Sequence, residues 1–146
     1  MTSDKPLAIA SDHAGFALKE QIKKQLSACQ IAFEDLGTSD ECSTDYPGYA
    51  HAVATGICEG RYSRGILVCG TGLGMSMAAN RHRGIRAAVC SDTFSARSAR
   101  NHTDANILCL GSRVTGVGLA SDIVEVFLEA PFEGGRHQPR IEKIEL

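Results

Sequence analysis

The sequence predicts an α/β protein whose five-stranded parallel sheet is covered by helices on both faces. Three observations carry that expectation. Short apolar runs alternate with segments of helical periodicity from end to end. The runs have the length of buried strands rather than of helices. Glycines punctuate the alternation, with Gly37, Gly60 and Gly111 each closing an element.

The elements follow in order. Leu7 to Ala10 reads as a first strand. Phe16, Leu18, Ile22 and Leu26 recur at roughly helical spacing and predict a first helix. Ile31 to Leu36 reads as a second strand, and Asp40 to Tyr46 as a polar loop ending at Pro47. Tyr49 to Glu59 reads as a helix. Gly65 to Cys69 is a third strand, and Ser76 to Asn80 reads as its helix. Ile85 to Cys90 is a fourth strand, followed by a helix over Phe94 to His102. Ile107 to Leu110 is a fifth strand. A last long helix covers Val117 to Leu128, with Ile123, Val124, Phe127 and Leu128 on its apolar side. After Pro131 comes a polar tail with a helical turn or two.

Composition narrows the function classes. The 146 residues suit one domain with a sizeable core. A hydrophobic content of 43% and a charged content of 22% are those of a soluble globular protein. A net charge of -2 gives no nucleic-acid or polybasic membrane signature. No apolar stretch reaches the length of a membrane span. The polar stretch Met1 to Lys5 runs straight into a strand, so no signal peptide is expected. Six cysteines without a C-x-x-C pair read as free thiols in a reducing cytoplasm, not as a zinc site or a disulfide framework.

In parallel sheets the site lies outside the carboxyl ends of the strands. That rule collects Asp12 and His13, then Cys69 to Thr71, then Ser91 and Asp92, then Ser112 and Arg113. The most informative stretch is Cys69-Gly70-Thr71-Gly72-Leu73-Gly74. A strand, a glycine-rich turn and a helix start aim backbone N–H groups at one spot, which suits an anion. A thiol stands at its edge, and a helix N-terminus favours a thiolate. The glycine spacing is G-x-G-x-G, whereas the dinucleotide fingerprint needs G-x-G-x-x-G, so only Asp92 keeps a nucleotide reading open. Asp12 also suits a helix cap. Arg136 and Arg140 are four apart and would share a helix face that grips one phosphate, with Arg113 joining them. The residues alone describe a cleft for a small phosphorylated substrate with a carbonyl.

The chain resembles the ribose-5-phosphate isomerase B group of sugar-phosphate isomerases. The resemblance rests on Ser11-Asp12-His13-Ala14-Gly15, Thr44-Asp45-Tyr46-Pro47, Cys69 to Gly74, Ala79-Asn80, Gly84 to Ala87, His102 to Asn106, Gly111-Ser112-Arg113 and Glu133 to Arg140. These motifs run in the family's order through almost the whole chain. The resemblance implies a Rossmann-like three-layer α/β/α sandwich and an aldose–ketose isomerisation through an enediolate, with no cofactor and no metal. It implies a homodimer, or a tetramer, with sites shared across the subunit interface and with residues 131–146 contributing to them. Cys69 would be the base that moves the proton between C1 and C2. Gly70, Gly72 and Gly74 would supply the anion hole, and Thr71 would shuttle a proton between O1 and O2. His102, with Asp12, would open the furanose ring. His13, Arg113, Arg136 and Arg140 would bind the phosphate. Tyr46, Asn80 and Thr103 would line the substrate pocket.

One branch of the family uses a glutamate just after the loop's last glycine. Met75 stands there and Cys69 is present, so the chain resembles the cysteine-base branch. The family also has Asn after the ring-opening histidine, where this chain has Thr103. Thr keeps a hydroxyl but lacks the amide's two donors and its reach. The expectation is a ribose 5-phosphate isomerase. The alternatives are an allose or galactose 6-phosphate isomerase, a non-catalytic nucleotide- or sugar-phosphate-binding module, and a cysteine hydrolase built on Cys69 and His102.

Overall fold

The structure is a computed structural model describing residues 4–146. The first residues of the polar Met1 to Lys5 stretch lie outside the described residues. Five strands form one parallel sheet: β1 (Leu7–Ser11), β2 (Phe33–Asp35), β3 (Gly65–Cys69), β4 (Ala87–Val89) and β5 (Ile107–Gly111), in the order β2-β1-β3-β5-β4. Six helices accompany them: α1 (Phe16–Ala28), α2 (Tyr46–Cys58), α3 (Leu73–Ala79), α4 (Thr93–Thr103), α5 (Val117–Glu129) and α6 (Gln138–Glu142). The expected α/β fold with a five-stranded parallel sheet is the fold observed.

Strand alternation sorts the core into two layers. Leu7, Ile9, Ile66, Val68, Leu108 and Leu110 pack beneath α1, α4 and α5. Ala8, Ala10, Leu67, Cys69, Ile107 and Cys109 pack beneath α2 and α3. Both faces of β1, β3 and β5 are therefore buried, which is why these runs are apolar throughout. Among the described residues, no helix is long and apolar enough to cross a membrane.

Several boundaries differ from the sequence reading. The strands expected over 31–36 and 85–90 pair over only three residues each, because β2 and β4 are the two sheet edges. The helix expected from Tyr49 starts at Tyr46, so Pro47 opens α2 instead of closing a loop. Proline fits there because its missing N–H has no partner in a helix's first turn. The helix expected from Ser76 starts at Leu73, so Gly74 and Met75 are helical.

One charged group lies in the core. Lys19 is fully buried on the apolar face of α1, beside Leu18, Ile22 and Leu26. Its ammonium reaches Asp35 Oδ1 at 2.7 Å and the Thr38 carbonyl at 2.5 Å. It thereby ties the end of β2 and the start of the following loop to α1. Burial alone would push the Asp35 carboxyl up, but hydrogen bonds from Lys19 and Lys23 outweigh it and hold the group below its ordinary 3.8. A carboxyl lowered by folding stabilises above its unfolded pKa, and that stability is lost as pH falls through the folded value. Lys19→Met is expected to cost about 2–3 kcal/mol at neutral pH, below the roughly 3–5 kcal/mol of a fully buried broken pair because Asp35 is partly exposed. The variant should also show a flatter loss of stability below about pH 4. Urea denaturation at neutral and acid pH measures both.

Candidate active site

The site is built on the loop between β3 and α3. The Cys69 side chain closes the last position of β3 and is buried. The chain then turns sharply, with Gly72 at φ 82°, a left-handed conformation that a glycine adopts without strain. That turn aims the Gly72 N–H at Cys69 Sγ, 3.1 Å away. The Leu73 N–H points at Thr71 Oγ1, 3.2 Å away. Gly111 lets the loop lie directly on β5, since a Cβ there would stand 2.7 Å from the Thr71 backbone. Thiol, hydroxyl and N–H groups are thus fixed by the backbone itself.

Neighbouring strand ends surround this loop. The Asp12 N–H donates to the Val68 carbonyl, and the Asp12 carboxylate accepts from the Gly15 N–H at 3.0 Å, tightening the entry to α1. His13 Nδ1 meets the backbone of Thr44, with the Thr44 N–H 3.1 Å away. That contact ties His13 to the loop that carries Tyr46. The Tyr46 phenol lies against Gly74, where a Cβ would overlap the ring. Past β5, the Ser112 N–H donates to the Cys69 carbonyl and the Arg113 N–H to the Gly70 carbonyl. The Arg113 guanidinium consequently lies over Gly70. Cys69, Thr71, Asp12, His13, Tyr46 and Arg113 therefore share the carboxyl edge of the sheet, as the strand-end rule predicts.

The remaining candidates do not join them in the same chain. α4 leaves the carboxyl end of β4 and runs back to the start of β5. His102 and Thr103, on its last turn, lie at the amino edge. Arg86, just before β4, donates to the Thr103 carbonyl at 2.9 Å and confirms that placement. The tail is there too: the Glu133 N–H donates to the Asn101 carbonyl. A five-residue strand spans about 16 Å, so the two edges are separated by roughly that distance. The candidates that the residues and the resemblance supply therefore fall, within one chain, into two groups at opposite edges of the sheet.

Four further readings change. Asp92, the residue that kept a nucleotide reading open, caps α4 by accepting from the Ser95 N–H at 2.6 Å. Asn80 holds the free edge of β4, accepting from the Ala87 N–H at 2.7 Å and donating to its carbonyl at 3.0 Å. Its amide is committed to the scaffold. The Thr103 hydroxyl donates to the Ala99 carbonyl at 2.6 Å, one turn back in α4. Arg136 and Arg140 do not share one helix. Arg136 lies in a 3₁₀ turn, Gly135–His137, and Arg140 in α6.

Electrostatics separates the cysteines. Burial pushes the Cys90 thiol up to about 11 and Cys109 further still. Neither is poised to act as a base near neutral pH. On the other edge, His102, Glu133 and His137 bring possible ligand atoms within 4.8 Å of one another. The two rings stack, 18° from parallel. Burial, then the charges of His102 and Arg136, also hold His137 below its ordinary value.

A family model described as Ribose/Galactose Isomerase matches residues 7–144. The chain belongs to this isomerase family. It is 49% identical over 140 residues to the ribose-5-phosphate isomerase B of Escherichia coli (strain K12), across 96% of this chain and 94% of that one. It superposes on a ribose 5-phosphate isomerase of Thermotoga maritima with a TM-score of 0.95 and 54% identity, covering 98% and 99% of the two chains. A ribose-5-phosphate isomerase B from Mycoplasma genitalium with bound ribulose-5-phosphate matches with a TM-score of 0.92 and 43% identity, covering 98% and 95%.

Sequence reasoning did not single out two residues that stand beside His102: His137, against its ring, and Glu133, 3.8 Å from its Nε2. Both stand in the Glu133 to Arg140 motif, yet nothing in their spacing places them beside α4. The signal for them is the fold-back of the tail, which is a tertiary contact.

Proposed function

We propose that the chain interconverts D-ribose 5-phosphate and D-ribulose 5-phosphate through an enediolate. The observation that carries this reading is the Cys69–Gly72 turn, where a thiol at a strand end is held among N–H groups with a hydroxyl beside it. In the forward direction His102 and Asp12 open the furanose ring. A proton leaves the C1 hydroxyl, the C1–O4 bond breaks, and O4 takes a proton. The Cys69 thiolate then removes the proton from C2 and returns it to C1. Thr71 passes a proton between O1 and O2, and the N–H groups of residues 70–74 hold the developing oxyanion. His13 and Arg113 bind the phosphate together with Arg136 and Arg140. The similar proteins named ribose-5-phosphate isomerase B favour this reading over a hexose phosphate isomerase or a non-catalytic module. A coupled assay with ribose 5-phosphate and allose 6-phosphate side by side is expected to give the higher kcat/KM for ribose 5-phosphate. The reverse order would overturn the pentose assignment and keep the isomerase.

The assembly we propose is a homodimer, in which the carboxyl edge of one protomer meets the amino edge of its partner. The separation of the two half-sites supports it. So do the exposed side chains of Leu73, Met77, Phe94 and Val114, an apolar set around the carboxyl edge. The whole chain acts as one domain in this reading, and residues 131–146 complete the partner's phosphate site. Free thiols at all six cysteines support a cytoplasmic location. Arg136→Ala is expected to raise KM about 10- to 100-fold with a smaller change in kcat, as for a lost charge-assisted hydrogen bond. Raising the salt concentration should narrow the gap to the wild type in steady-state kinetics.

A further inference from the structure

The tail after α5 does more than carry two arginines. Asn101 donates to the Pro131 carbonyl at 2.5 Å, and the Glu133 N–H donates to the Asn101 carbonyl at 3.0 Å. These bonds fold the tail onto the last turn of α4, where His102 stands. The His102 and His137 rings stack with centroids 4.4 Å apart and planes 18° from parallel. Glu133 Oε1 lies 3.8 Å from His102 Nε2. His102 itself is 47% exposed, so the helix alone leaves its ring free to turn. His137 is only 6% exposed and is a rigid neighbour by comparison.

We propose that His137 is a positioning residue for His102, its buried ring face fixing the plane in which His102 meets the sugar. The proposal rests on the isomerase reading and on ring opening by His102. Opening the furanose requires a nitrogen aimed along the line of proton transfer, and misaim of about 1 Å costs on the order of 100-fold. The stack sets the plane, and Glu133 faces Nε2. The ring face, rather than a nitrogen, is the part in use. Among the described residues Nε2 of His137 has no hydrogen-bond partner, so it makes no hydrogen bond that a substitution would break. The charged and titratable groups around it are His102, Arg136, Glu133 and Arg140, and with burial their sum favours the neutral ring. A neutral aromatic face accepts His102 in either protonation state, and attracts it when it is a cation.

Two variants separate the ring from its polar atoms. His137→Phe keeps a flat face and removes an unpartnered buried nitrogen, which is neutral or stabilising. His137→Gln keeps polar atoms and removes the face. Two reactions separate ring opening from enolisation. Ribose 5-phosphate must be opened, whereas ribulose 5-phosphate cannot close to a furanose because its C5 oxygen carries the phosphate. Exchange of its C1 hydrogen in deuterated water therefore reads the Cys69 step alone. His137→Gln is expected to lower kcat for ribose 5-phosphate about 10- to 100-fold while exchange stays within about threefold. His137→Phe should keep both rates within about threefold of the wild type. Equal behaviour of the two variants, or exchange falling in step with isomerisation, would overturn the proposal. A wild-type chain that neither isomerises nor exchanges would overturn the isomerase reading instead.

Discussion

Cys69→Ala is expected to fold, to bind ribose 5-phosphate, and to isomerise about 10²–10⁴-fold more slowly, the usual cost of removing a general acid or base. The thiol is small and sits at a strand end, so its loss leaves little cavity. Its sulfur accepts from the Gly72 N–H, and the turn is set by the backbone of Gly72 and Gly111. The two other buried cysteines do not stand ready to replace it. Cys109 is buried on the same face, but burial holds it as a thiol, and Cys90 is likewise pushed up to about 11. Cys69→Ser makes a sharper control, because it keeps a hydrogen-bonding atom for Gly72 while offering a much weaker base. Both variants should retain the wild-type melting temperature within a few degrees and the affinity for substrate. Isomerisation by Cys69→Ala at the wild-type rate would show that the proton moves elsewhere.

The part of this site that the sequence makes legible is the part that local rules reach. β1, β3 and β5 are central strands, buried on both faces, so their apolar runs end where pairing ends. β2 and β4 are edges, where apolar residues continue past the last paired position, and the sequence overstates them. The strand-end rule then gathers Asp12, His13, Cys69, Thr71 and Arg113 without any knowledge of the family. It has no means of gathering His102, Arg136 and Arg140, which lie at the opposite edge and enter the argument through the family motifs. Lys19 and His137 show a second limit. Lys19 occupies a position on the apolar face of α1, yet its partners come from the end of β2 and the next loop. His137 reads as part of a solvated tail until the tail folds onto α4. In both cases burial follows from contacts between segments distant in sequence, and periodicity carries no record of them.

Mixing two inactive chains is expected to restore activity. In the proposed mechanism Cys69→Ala lacks the base on the carboxyl edge, and His102→Ala lacks the ring-opening group on the amino edge. Within one protomer these positions are separated by about the length of a strand, roughly 16 Å, too far to serve one sugar. In a dimer that pairs opposite edges, each site takes Cys69 from one protomer and His102 from the other. A mixed dimer then holds one site lacking both groups and one site with both intact. Random reassortment makes about half of the dimers mixed, and half of their sites are whole, so about a quarter of wild-type activity should return. Each homodimer of variant chains has every site damaged and contributes almost nothing. The measurement is the isomerisation rate after partial unfolding and refolding of an equimolar mixture, with heterodimers counted by native mass spectrometry. Refolding each variant alone should restore none. Heterodimers present without recovered activity would place Cys69 and His102 in the same site of one chain, and the paired-edge assembly would be wrong.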